Sequence, residues 1–482
     1  MSPSSQLTIK AKSTSRFKGV AGFGFNTCHA PIVMRSDVQD QMRRGRQELG
    51  MRYWRCHGTL GDDVGLLDPL SARREPTFSG LKRIIDAGLA SGVRPFFELS
   101  FMPSALARST AKTITHYRGV ISPPKVWGEW ERLIRQLIAF LLQTYGAHEV
   151  RQWYFEVWNE PNIPFWSGTR AEYFTLYRLA ARALKKADAK LRVGGPATAR
   201  AAWVPEMLAF CGKTRTPIDF ISTHIYPSDV AFVDSAVGDV KLLGVDFLHS
   251  HFRRVRREVD AARPGLPIIW GEWNSSAGPL AENHDECNNA ALICAALAGM
   301  ETWGDGSLFW NLSDIYEECQ YHFMPFHGGY GLYTVDGIPK SGARAFEFWN
   351  ALRGERMEVE GAPEGAVRGA FAVRDPETAT LRVILWNHQE GKAGRSRAPW
   401  KVTLRTEEGG AERGRLDSLL PCHGSAYEAW TAMKRPANLS RTQRARLHAA
   451  SRPKTVSLRA GKEGVWKVSV PPGTAHLLTL PA

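Results

Sequence analysis

The sequence contains no uninterrupted apolar run of the roughly 18–20 residues that a membrane-spanning helix needs. Its seven cysteines include no C-x-x-C pair. An odd set, Cys28, Cys56, Cys211, Cys287, Cys294, Cys319 and Cys422, argues against a disulfide framework and for a reducing compartment. The N-terminal stretch MSPSSQLTIKAKSTSRFKG is basic but has no apolar h-region, so it does not read as a secretory signal, and a cytoplasmic location is expected. No G-x-G-x-x-G opens a helix, and there is no P-loop, zinc finger or RNA-recognition signature. These absences set aside an integral membrane protein, a dinucleotide-binding fold and a motif-borne nucleic-acid reader.

Charge is present in excess but not in blocks. The formal net charge is +14, yet no five or six like charges run together. Residues 1–55 carry a net +7, residues 56–350 a net −2, and residues 351–482 a net +9. The middle of the chain is therefore almost neutral, and the basic excess belongs to its flanks. The densest cluster, Arg253, Arg254, Arg256 and Arg257, has helical spacing and reads as a solvated helix face rather than a phosphate site. No nucleic-acid or membrane partner is expected.

The middle of the chain alternates strand-like and helix-like segments. Short apolar, β-branched or aromatic runs stand at Met51–Cys56, Arg94–Phe101, Gln152–Trp158, Leu191–Gly194, Asp219–Ile225, Pro267–Trp273 and Gly306–Leu312. Apolar residues at three- and four-residue spacing predict helices at Thr77–Ala90, Trp127–Tyr145, Arg170–Lys186, Val245–Ala262 and Asn288–Thr302. This repetition predicts an α/β protein with a closed (β/α)8 TIM barrel over 21–350. Beyond residue 350 the pattern becomes short strands between Gly, Pro and charged turns, broken by a helix at Thr442–Ala450. That predicts an accessory β-sandwich over 351–482. The basic, alternating segment QLTIKAKST within 1–20 is expected to join it.

In a parallel barrel the C-terminal strand ends face the active site. Two carboxylates end strongly apolar runs there: Glu160 in WYFEVWNEPN and Glu272 in PIIWGEWNSS. A buried charge is costly unless it is hydrogen-bonded. A pair on different strands suits acid and nucleophile work on a glycosidic bond. Asn159 could donate to a sugar hydroxyl, and His224, Tyr226 and Arg55 are candidate donors to Glu272. Twelve of the 16 tryptophans lie between Trp54 and Trp349. Most of them read as core, while Trp158, Trp166, Trp273 and Trp310 are placed to stack on a pyranose face. Glu156 reads as a buried, paired structural residue, and Glu98 as a support for Arg55. His284, Asp285 and Glu286 lack a partner motif with ligand spacing, so no metal is expected.

These segments resemble glycoside hydrolase family 39, the β-xylosidase and α-L-iduronidase family. GMRYWRCHGTLGDDVG is similar to the segment that carries the family's arginine and substrate-binding histidine, here Arg55 and His57. EVWNEPN resembles its acid/base signature (Asn159, Glu160), DFISTHIYP its sixth-strand segment (His224, Tyr226) and IIWGEWNSS its nucleophile segment (Glu272). LFWNLSDIYEE, with PFHGGYGL and GIPKSGARAFEFW, resembles the eighth-strand region, which implicates Trp310, Asp314, Glu317 and Glu318 in sugar binding. The tail segment YEAWTAMKRPANLSRTQRARL is similar to the family's accessory domain.

The resemblance implies a retaining double displacement with Glu272 as nucleophile and Glu160 as acid/base, and carboxyl groups about 5–5.5 Å apart. It implies no cofactor. Uronic-acid enzymes of the family carry an arginine where this chain has Gly328 and Gly329, so the expected activity is that of an exo-acting β-D-xylosidase on short xylooligosaccharides. The same machinery on another glycoside (a β-glucoside, an α-L-arabinopyranoside or an iduronidase-like substrate), and a non-catalytic carbohydrate-binding protein, are the alternatives. Oligomeric state stays open.

Overall fold

The computed structural model describes residues 3–67, 75–228, 243–316, 318, 324–390, 398–407, 409 and 411–481. The chain enters as a long strand, β1 (Ser4–Arg16), and then builds a barrel from β2 (Gly24–His29), β3 (Tyr53–His57) and β4 (Arg94–Leu99). A small hairpin, β5 (Thr113–Ile114) and β6 (Gly119–Val120), sits above it. β7 (Tyr154–Val157), β8 (Arg192–Thr198), β9 (Phe220–Ile225), β10 (Ile268–Trp273) and β11 (Gly306–Phe309) complete the ring. All eight barrel strands pair in parallel, and β11 closes onto β2.

The expected barrel is therefore present, but its first strand and three of its longer helices were not foreseen. β2 reads GFNTCH, too polar to stand out. Gly24 is required there, because a Cβ would meet Leu308 Cδ2 and the Tyr53 carbonyl oxygen at 2.5 Å. The helix Ser36–Glu48 buries only Val38, Gln41, Met42 and Gly45. Val204–Thr214 and Ser341–Asn350 are the other two. The foreseen helix Arg170–Ala187 begins with a reciprocal cap, in which Thr169 accepts from the Glu172 amide and Glu172 reaches back to the Thr169 amide.

Strand alternation grades the barrel interior from apolar to polar. The lower end is plugged by Phe23, Phe96, Phe220, Ile269 and Leu308, with Tyr53 and Tyr154 against them. Two residues further along the strands come Arg55, Glu98, Glu156 and Ser222, all buried. On β10 the alternation breaks: its register against β9 shifts between Trp270 and Glu272. A bulge of this kind re-aims the side chains beyond it. Ile269 and Glu272 therefore both face inward, while Trp273 turns outward onto Phe309 and Phe346.

The accessory sheet uses β12 (Glu355–Glu360), β13 (Arg368–Arg374), β14 (Leu381–Asn387), β15 (Trp400–Thr406), β16 (Arg413–Pro421), β17 (Gly424–Ser425), β18 (Lys454–Arg459), β19 (Trp466–Val470) and β20 (Thr474–Leu480). Its order is β17-β16-β20-β14-β13-β12-β1-β15-β19, with β18 beside β16. β1 lies between β12, antiparallel, and β15, parallel. The sheet folds over itself: Leu7, Trp400, Val402 and Trp466 from one end share a core with Val383, Leu385 and Leu478 from the other. Its remaining apolar face, including Phe371, Ile384, Trp386 and Leu477, joins the barrel core. The barrel helix Asn288–Trp303 lies at that junction and is buried along most of its length. A helix apolar on every side needs such a double cover.

Candidate active site

At the C-terminal mouth of the barrel lies a cavity of ≈ 370 Å³. His57, Asn159, Glu160, Tyr226, Glu272, Trp310 and Glu318, all named from the sequence, line it. Phe165, Arg200, Ala277 and Tyr330 line it as well and were not foreseen. Tyr330 sits in PFHGGYGL, a segment that did signal the site; Arg200 follows β8 in GGPATARAAW, a segment that carried no comparable signal.

Arg55 organises the floor of the cavity without reaching it. The side chain is fully buried, and one guanidinium serves three carboxylates: Glu156 Oε2 at 2.6 Å, Glu98 Oε2 at 2.7 Å and Glu272 Oε2 at 3.2 Å. Asn26 Oδ1 and Asn159 Oδ1 also accept from it, at 3.0 and 2.8 Å. Burial alone would weaken the charged form, but the carboxylates around it raise the pKa further above the ordinary arginine value. Asn159 must turn its oxygen toward a group that can only donate, which leaves its amide N–H for the cavity side.

Glu272 is 7% exposed and receives two donors on opposite oxygens. The Tyr226 hydroxyl donates to Oε1 at 2.7 Å, and Arg55 Nη1 donates to Oε2 at 3.2 Å. Glu160 is equally buried and has a different environment. Its ring partner among the described residues is His224, whose Nδ1 lies 2.9 Å from Glu160 Oε1. Burial pushes the Glu160 carboxyl up to about 7, against the opposing pull of His57, Arg55 and Arg200. Burial pushes His224 down to about 4, so the ring is neutral and donates through Nδ1 while Nε2 faces Arg55 at 3.5 Å. In His57, burial works against the charge but Glu98, 2.9 Å from Nδ1, raises the pKa. His57 stacks on Trp310 with ring centroids 4.8 Å apart.

Donor atoms of Glu160, His224 and Glu272 all lie within 4.8 Å of one another. That spacing could admit a cation, but the Arg55 guanidinium already supplies positive charge beside Glu272. His284 and Asp285 are likewise engaged: the His284 ring nitrogens face the carbonyls of Gly328 and Ser276, and Asp285 pairs with Lys340.

Packing holds several of the candidate residues away from the cavity surface. Asp314 does not reach the cavity; it is 2% exposed, pairs with Lys340 Nζ at 2.7 Å and accepts from the Gly331 amide at 2.8 Å. Lys340 also pairs with Asp285 at 2.5 Å, so this triad holds the Gly328–Gly331 wall in place. Trp158, Trp166 and Trp273 do not stack on the cavity. Trp158 and Trp166 pack edge to face on each other, and Trp273 is turned away by the β10 bulge. Arg55 and His224 act from behind the wall rather than from its surface. Finally, of the adjacent pair, Glu317 lies outside the described residues. Glu318 is half-buried, and the pocket walls with nearby Glu272 and Glu160 push its carboxyl up to about 7.

A proton-holding carboxyl facing a hydrogen-bonded carboxylate across less than 5 Å can protonate a leaving oxygen while the second group attacks carbon. Together with the parallel barrel, this defines a barrel glycoside hydrolase. The family model for glycosyl hydrolases family 39 matches residues 7–464, and the chain belongs to that family. It is 39% identical over 467 residues to a beta-xylosidase from Caldicellulosiruptor saccharolyticus, covering 94% of this chain and 93% of that protein. It is 31% identical over 478 residues to a beta-xylosidase from Geobacillus stearothermophilus, covering 96% and 92%. The solved structure of a monomeric beta-xylosidase from Caulobacter crescentus CB15 superposes with a TM-score of 0.88 at 31% identity, covering 99% of each chain. Among the described residues, no helix is long and apolar enough to cross a membrane.

Proposed function

We propose that the protein is an exo-acting retaining β-D-xylosidase that releases xylose from short xylooligosaccharides. The observation that carries this reading is the approach of Glu160 and Glu272 within 4.8 Å at the end of a small cavity. An inverting enzyme needs about 6.5–9.5 Å to place a water between its carboxyl groups. Glu272, held by Tyr226 and Arg55, attacks the anomeric carbon. Glu160 gives its proton to the departing oxygen, then removes one from the water that releases the sugar. Asn159, His57, Trp310 and Glu318 hold the sugar. The choice of xylose is supported by the β-xylosidases that share the whole length of the chain, and by Gly328 and Gly329 in the wall. Free cysteines buried through the barrel suit a cytoplasmic protein.

The test is a panel of p-nitrophenyl glycosides. The β-D-xyloside should be the best substrate, and Glu272→Ala should lose at least about a thousandfold in kcat. Faster turnover of the β-glucoside or α-L-arabinopyranoside would replace the sugar and leave the mechanism standing. Full activity in Glu272→Ala would overturn the mechanism.

A further inference from the structure

The loop after β8 presents a cation to the cavity. Residues 199–201 form a single tight turn in which Arg200 takes a left-handed backbone (φ 64°, ψ 26°). A long side chain adopts that region at a cost of order 1–3 kcal/mol and keeps it only where the surroundings impose it. The surroundings here are specific. Asn162, two residues after Glu160, clamps Ala199 in both directions: its Nδ2 donates to the Ala199 carbonyl at 3.0 Å, and its Oδ1 accepts from the Ala199 amide at 2.9 Å. On the other side Arg254 donates to the Ala201 carbonyl at 2.9 Å, and Arg254 is itself paired with Glu258. The Glu160 amide donates to the Ala197 carbonyl at 2.8 Å, which ties the same loop to the acid.

The backbone on both sides of Arg200 is thus pinned, while its guanidinium has no hydrogen-bond or ion-pair partner among the described residues. It is half-buried and lines the cavity with Phe165. An arginine held in a strained turn, half-buried and unpaired beside a carboxylic acid, lacks a structural reason for its position. Phe165 lies on the turn that follows Glu160, and Arg200 is close enough to Glu160 to oppose the rise of its pKa, so both stand on the acid's side of the cavity.

We propose that Arg200, with Phe165 as a platform, forms a leaving-group subsite selective for an anionic aglycone: a carboxylate-bearing ring, such as a neighbouring uronate unit or an aryl carboxylate. This rests on the reading of Glu160 as the acid. A guanidinium can grip a carboxylate with two parallel hydrogen bonds, and an aromatic face covers the ring that carries it.

The probes are 4-carboxyphenyl and 4-carbamoylphenyl β-D-xylosides, or the same pair on whichever sugar the panel selects. They match in shape and differ in charge. In the wild type, kcat/KM should favour the carboxylate over the amide by about fivefold or more, mainly through KM, and 1 M salt should reduce that preference. Arg200→Gln should bring the ratio to about one, and Arg200→Lys should keep part of it. A purely structural role would lower both substrates equally and leave the ratio unchanged. A wild-type ratio near one, or a preference that survives Arg200→Gln, would overturn the subsite while the glycosidase reading stands. Absence of turnover on every aryl glycoside would overturn both.

Discussion

The Tyr226 hydroxyl donates to Glu272 Oε1 at 2.7 Å while Arg55 holds the opposite oxygen, so the proposed nucleophile is fixed from both sides. A hydrogen bond to a charged group contributes about 1.5–3 kcal/mol. Tyr226→Phe should therefore lower kcat about 10- to 100-fold on p-nitrophenyl β-xyloside with a much smaller change in KM. Steady-state kinetics check this; a variant slowed less than twofold would show that Arg55 alone suffices.

The pH profile should report Glu160. Its carboxyl titrates at about 7, and the acid works only when protonated, so kcat/KM should fall as pH rises through about 7. Glu160→Gln should remove that limb together with most of the activity. Stability moves in the same direction. A carboxyl raised from 4.5 in the unfolded chain to about 7 in the fold loses stability as pH climbs between those values. Thermal melts of Glu160→Gln should exceed wild type at pH 8, by an amount on the order of 3 kcal/mol at most, and match it near pH 4.

Lys340 is buried between Asp285 and Asp314. Lys340→Met leaves two carboxyl groups without their cation and should cost about 3–5 kcal/mol of stability. Chemical denaturation measures it. Asp314→Asn should lower the melting temperature while changing KM for the aryl xyloside less than about threefold, because Asp314 braces the wall without touching sugar. A large KM effect with an unchanged melting temperature would restore Asp314 to the binding site.

Arg55→Lys tests the floor of the cavity. An ammonium cannot span Glu98, Glu156 and Glu272 as the planar guanidinium does. Activity should drop at least about a hundredfold, with the melting temperature lowered. The acid and the nucleophile would both be present in such a variant, so the loss measures positioning.

Much of this site was legible because its residues are chemically costly where they stand. Glu160 and Glu272 end apolar strands, and no core requires that. The (β/α) alternation was visible because barrel strands buried on both faces are apolar and short. The misses share a different cause. β2 is written in small and polar residues that close the ring only because Leu308 and Tyr53 approach Gly24 so tightly. Trp273 stands at a strand end beside Glu272, but a bulge that only the pairing reveals turns it outward. Asp314 appeared to be a binding residue until its partner, Lys340, arrived from a segment 26 positions along the chain. Arg200 was invisible because nothing in ATARAAW says that the turn is clamped from Asn162.

The placement of β1 also has a consequence for the order of assembly. Thr14 meets Arg356 across 342 positions of sequence, and β1 pairs with β12 on one side and β15 on the other. On a ribosome, β1 emerges before the barrel, whereas β12 and β15, the strands it pairs with, emerge after it. For that interval it is a basic, alternating strand with two open edges, and its lysines are the feature that discourages pairing with another copy. The accessory sheet is thus a clasp that closes last, and its contact order makes that closure slow.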